Sequence, residues 1–100
     1  MISKIDLTEI SFLIYGLGLT GKSVVNFFNK NNIKNYRVWD EKNKITFKKK
    51  RTLNLNKTLK NVDYIILSPG ISLKKAKYRS QLIKYKKKII TDLDLLYLSQ

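Results

Sequence analysis

The sequence predicts an α/β fold: one domain built on a parallel β-sheet of about five strands with helices on both faces. Three observations carry that prediction. Short runs of apolar, β-favouring residues read as strands buried on both sides. The stretches between them place apolar residues three and four positions apart. The two kinds of segment alternate along 100 residues with no repeat, linker or low-complexity tail, which calls for right-handed crossovers.

The first strand is "SFLIY", Ser11 to Tyr15, stopped by Gly16. From Gly21 onward, Val24, Val25, Phe27 and Phe28 make one face of an amphipathic helix that ends near the Asn-rich "NKNN". "YRVWD", Tyr36 to Asp40, is the second strand, and a weak third is expected near Arg51 to Leu55. "DYIILSPG", Asp63 to Gly70, is a further buried strand closed by the only proline, Pro69. That residue lacks an amide hydrogen and biases Ser68 toward extended backbone. Lys74 to Lys86 places Tyr78, Leu82 and Tyr85 on one helical face, and "KIIT" is a short last strand. In "TDLDLLYLS", Thr91 and Asp94 hold capping-box positions, with Leu93, Leu96 and Tyr97 at helical spacing.

Composition narrows the chemistry. A hydrophobic fraction of 43% fits a folded globular chain. There is no cysteine and no histidine, so thiolate and imidazole metal sites and a histidine general base are out. Seven acidic residues in all do not suggest a carboxylate cage. No apolar run approaches the length of a membrane span, and "MISKIDLTEI" has no secretory core, so a cytoplasmic location is expected. The net charge of +14 is carried by dispersed runs such as "KKKR" and "KYKKK", in a chain also rich in Asn and Ile. It reads as compositional drift that also helps attract a phosphorylated ligand, more than as a nucleic-acid footprint.

The segment "GLGLTGKS", residues 16 to 23, satisfies two phosphate-binding patterns. As a P-loop it would need a long loop and a Mg²⁺-holding Asp at the end of a neighbouring strand, and the later buried strand ends in Ser68-Pro69 instead. As a Rossmann-like fingerprint it fits. Gly16 makes the tight turn, Gly18 admits a phosphate to the backbone, and Gly21 lets helix and strand pack closely. Asp40 lies nineteen positions after Gly21, where an acidic residue meets the far end of a nucleotide. The glycine loop, Asp40 and the Ser-Pro-Gly turn all fall beyond strand carboxyl ends, where such sheets bind ligands.

"GLGLTGKSVVNFF", "VWDEK", "DYIILSPGIS" and "ITDLDLL", in this order, resemble the N-terminal domain of the D-glutamate-adding Mur ligases of peptidoglycan precursor synthesis. The resemblance covers nearly the whole chain. It implies a Rossmann-like domain that holds the UDP part of UDP-N-acetylmuramoyl-L-alanine rather than NAD. Carried over, Gly16, Gly18, Leu19, Thr20 and Gly21 form the loop toward diphosphate and ribose, and Asp40 accepts from the uracil imide. Glu41 and Lys42 follow where relatives often carry a hydroxyl and an arginine; Ser68, Pro69 and Gly70 shape the pocket wall. No cofactor is expected within residues 1 to 100. ATP, Mg²⁺, the central ATPase domain and the C-terminal domain are expected in the full-length enzyme, so this stretch is expected to bind substrate without catalysing ligation. A small NAD-binding module and a basic nucleic-acid-binding domain are the alternative readings.

Overall fold

The computed structural model describes residues 6–16, 19–41, 48–67 and 76–98. Four strands form one parallel sheet: β1 (Phe12–Tyr15), β2 (Tyr36–Trp39), β3 (Tyr64–Leu67) and β4 (Ile89–Ile90), in the order β2-β1-β3-β4. Four α-helices accompany it: α1 (Leu19–Lys30), α2 (Leu55–Asn61), α3 (Arg79–Lys84) and α4 (Asp92–Leu98).

Alternation along β1 divides the core. Phe12 and Ile14 point to one face, where Val24, Val25 and Phe28 of α1 and Leu95 of α4 pack. Leu13 and Tyr15 point to the other, against Leu55 and Leu59 of α2 and Leu82 of α3. All four β1 side chains are fully buried, as befits a central parallel strand. At the opposite end of the sheet from the candidate site, Asp63 Oδ2 accepts from the Ser11 amide at 2.9 Å, and the Asp63 amide donates to Ser11 Oγ at 2.9 Å. This pair fixes the starts of β1 and β3 side by side.

Helix α1 begins two residues earlier than the pattern predicts and ends in a left-handed Asn32, φ 57°. The Asn32 amide donates to Asn29 O at 3.4 Å and the Ile33 amide to Phe28 O at 2.9 Å, with Ile33 and Phe28 buried in one cluster. That is a Schellman stop with asparagine in glycine's usual place. The capping box at α4 forms as read, with Thr91 N–H donating to Asp94 Oδ2 at 2.9 Å and Asp94 N–H to Thr91 Oγ1 at 3.2 Å.

Three expectations need correction. The weak third strand shrinks to one parallel bridge, Arg51 to Val38, with Leu53 wholly exposed and Leu55 already helical. The sheet has four strands among the described residues, close to the expected number. Helix α2 follows that bridge because Asn54 Oδ1 accepts from the Lys57 amide at 3.1 Å and caps it. Helix α3 is shorter than the stretch 74–86, although Tyr78, Leu82 and Tyr85 do pack on the second face. On α4, Leu93 and Tyr97 are 72% and 80% exposed, and Leu95 with Leu98 turns to the core instead.

Candidate functional site

All four strands run the same way, so their carboxyl ends share one rim. The chain leaves β1 for β2 on one side and returns for β3 on the other, which makes the β1–β3 boundary the topological switch point. Open α/β sheets bind ligands outside that rim.

At the end of β1 the turn is made by Gly16, at φ 100°, a backbone state that side-chain-bearing residues rarely adopt. Its amide still donates to Trp39 O at 2.7 Å, so the turn is anchored on β2. Gly21, in the first turns of α1, lies against Gly16: a Cβ there would stand 2.1 Å from the Gly16 carbonyl oxygen. Only the glycine pair lets the helix start this close to the strand. Two residues, Leu17 and Gly18, separate Gly16 from the first residue of α1, which leaves no room for a long phosphate-wrapping loop. Lys22 and Ser23 of the P-loop pattern fall inside the helix and are exposed. The first amides of α1 lack intrahelical acceptors and lie at the positive end of its dipole, an arrangement suited to an anion.

Next to this turn, the end of β2 opens into a cavity of about 160 Å³ lined by Trp39, Asp40, Glu41, Arg51, Lys77 and Tyr78. Trp39 organises it. The Arg51 guanidinium lies over the indole, 4.6 Å from the ring centroid, and Tyr78 meets it edge-on at 5.5 Å. Arg51 Nη1 also reaches the Asp40 carbonyl oxygen at 3.5 Å. Glu41 Oε1 accepts from Tyr15 Oη and from the Lys77 amide, both at 2.6 Å. That carboxylate ties the segment after β2 to the end of β1 and to the turn before α3. Burial, with the hydrogen bond and charge of Glu41 added, holds the Tyr15 phenol above its ordinary range, so it remains a donor.

Of the residues singled out in the sequence, Gly16, Gly21, Asp40 and Glu41 meet at this rim, with Leu19 and Thr20 opening α1. Gly18, Lys42, Ser68, Pro69 and Gly70 lie outside the described residues. Sequence reasoning missed Tyr15, Trp39, Arg51, Lys77 and Tyr78. Two of them were within reach: Tyr15 and Trp39 are register partners on adjacent strands and share a face. Among the described residues, no three acidic side chains gather as a metal set, and no helix is long and apolar enough to cross a membrane.

Fold and rim together define a Rossmann-like α/β domain whose strand carboxyl ends share one rim. Residues 10–91 match the model of the Mur ligase MurD-like N-terminal domain, and the chain belongs to that family. It is 48% identical over 68 residues to the UDP-N-acetylmuramoylalanine–D-glutamate ligase of Buchnera aphidicola subsp. Schizaphis graminum, a stretch that covers 60% of this chain. It is 40% identical over 87 residues to the ligase of that name from Francisella philomiragia, and 39% over 85 residues to that from Francisella tularensis. The match covers 87% and 85% of this chain respectively. The chain spans 15–19% of the length of these curated relatives.

Proposed function

We propose that this domain holds the UDP part of UDP-N-acetylmuramoyl-L-alanine on behalf of an ATP-dependent D-glutamate-adding ligase of peptidoglycan synthesis. The observation that carries the reading is the Gly16–Gly21 contact. It seats the amide-rich start of α1 on the end of β1, whose neighbour β2 ends at the cavity lined by Asp40. The diphosphate meets uncharged backbone donors, which bind an anion without tying up a side chain. Asp40 accepts an N–H from the base. Glu41 acts as a brace rather than a ligand, since Tyr15 and the Lys77 amide already engage one of its oxygens. ATP, Mg²⁺ and acyl transfer belong to the central and C-terminal domains of the ligase, and the domain works in the cytoplasm where that precursor is made.

Titration of the ¹⁵N-labelled domain with UDP and, separately, NADH tests the reading. UDP is expected to shift the amides of residues 16 to 21, Asp40 and Glu41. A stronger response to NADH, or shifts confined to other regions, overturns it.

A further inference from the structure

Between Glu41 and Asp63 the sequence carries eight Lys or Arg residues and no acidic one. The fold gathers part of this run into a cavity of about 420 Å³, lined by Arg37, Lys49, Arg51, Thr52, Asn54 and Lys57 among others. These residues come from strand β2, the 3₁₀ turn Lys48–Lys50, the bridge to Val38 and helix α2. Their convergence is therefore a product of tertiary structure, not of one basic helix face. No carboxylate lines the cavity among the described residues.

The cationic groups are also held in place. Arg37 Nη1 donates to Lys49 O at 3.3 Å, and Arg51 is pinned over Trp39. Beside the cavity, the Lys50 ammonium is held below its ordinary range by burial first, then by Arg37 and Lys34. Like charges gathered around a concavity repel one another and focus a positive potential that an anion relieves. Two preoriented guanidiniums suit phosphate oxygens, and the volume falls in the range of small-ligand sites, about 300–1,000 Å³.

We propose that this cavity is a second anion site, separate from the nucleotide rim, that takes a compact polyanion of the pyrophosphate class. Its cations converge on one concavity from several elements rather than along an extended face, which favours such an anion over an extended nucleic acid. Arg51 lines both cavities. A polyanion held by that guanidinium therefore also bears on the wall beside Asp40.

Calorimetric titration of the 100-residue chain with sodium pyrophosphate, with amide shifts recorded in parallel, tests this. With UDP present to occupy the rim, the expected result is saturable one-to-one pyrophosphate binding with shifts at Arg37, Thr52, Asn54 and Lys57. Lys57→Glu is expected to weaken binding at least tenfold and keeps the fold, because an acid suits the first turn of α2. Lys49→Glu, outside any α-helix, is expected to act in the same direction. Lys30→Glu, the same charge reversal on α1, is expected to change binding less than twofold. Absence of saturation, or equal weakening by Lys30→Glu and Lys57→Glu, overturns the site. So does a bound single-stranded oligonucleotide that pyrophosphate cannot displace, which would assign the surface to nucleic acid.

Discussion

Replacing Gly21 with alanine measures how closely α1 sits on the end of β1. The new Cβ would stand 2.1 Å from the Gly16 carbonyl oxygen, 3.1 Å from its carbon and 3.6 Å from Ile14 Cγ2. Ordinary contact begins at 3.4 Å, so the start of the helix must withdraw by 3.4 − 2.1 = 1.3 Å. The atom in the way is backbone, and the Gly16 amide is itself anchored on Trp39 O at 2.7 Å, so no side chain can rotate aside. Overpacking of this kind costs about 1–3 kcal/mol and occasionally more. Alanine's better helix propensity returns about 1 kcal/mol at most. A net loss of about 2 kcal/mol in a domain of this size lowers the melting midpoint by about 8–16 °C. Thermal unfolding followed by far-ultraviolet circular dichroism reads this directly, with Lys22→Ala at the exposed neighbouring position as the control. A Gly21→Ala midpoint within about 3 °C of the parent refutes the close seating of helix on strand.

Gly16→Ala places a side chain at φ 100°, and a loss of about 1–3 kcal/mol in a urea titration is expected; an unchanged midpoint shows that the turn can relax. Asn54→Ala removes the cap of α2 and is expected to cost about 1 kcal/mol by the same assay, whereas an effect under about 0.3 kcal/mol means the cap is idle. Burial, with Glu41 added at Tyr15, raises the Tyr15 and Tyr36 phenols, so the folded chain keeps protons that the unfolded chain releases near pH 10, about the free-tyrosine value. Their contribution to stability is complete below about pH 10 and is lost as pH rises beyond it. Phenolate absorbance should show Tyr15 and Tyr36 ionising above the free-tyrosine value, and complete titration at that value contradicts the burial argument.

What was legible in the sequence is what local pattern alone decides. The strands around Phe12–Tyr15 and Tyr64–Leu67 are apolar runs too short for helices, bounded by glycine or proline, and only burial in a parallel sheet suits them. The glycine turn and Asp40 were readable because spacing fixes their place at strand ends. Helix α2 was not, since Leu55 and Leu59 supply one apolar pair in seven residues and its stability comes from packing under Tyr15 and Leu82. Arg51 was lost for a related reason. Its role depends on Trp39, twelve positions earlier, and no local pattern signals a cation meeting an indole across the sheet edge. The rotation of α4 was likewise set by which leucine fits the gap beside α1, so Leu95 is buried and Leu93 is not.

The single bridge between Val38 and Arg51 has a consequence for self-association. An outermost strand normally offers its amides and carbonyls to any passing strand, the usual seed of aggregation. Here the Thr52 amide takes the Val38 carbonyl at 3.1 Å, and Arg37 stands exposed on the same rim. At the far rim β4 is two residues long and follows directly on the lysine turn Lys86–Lys88. Both margins of the sheet are thus either occupied or charged, so a second molecule finds little backbone to extend and a like-charged guard to pass. The basic residues that look like compositional drift thus also set like charges at both sheet margins, which opposes edge-to-edge pairing.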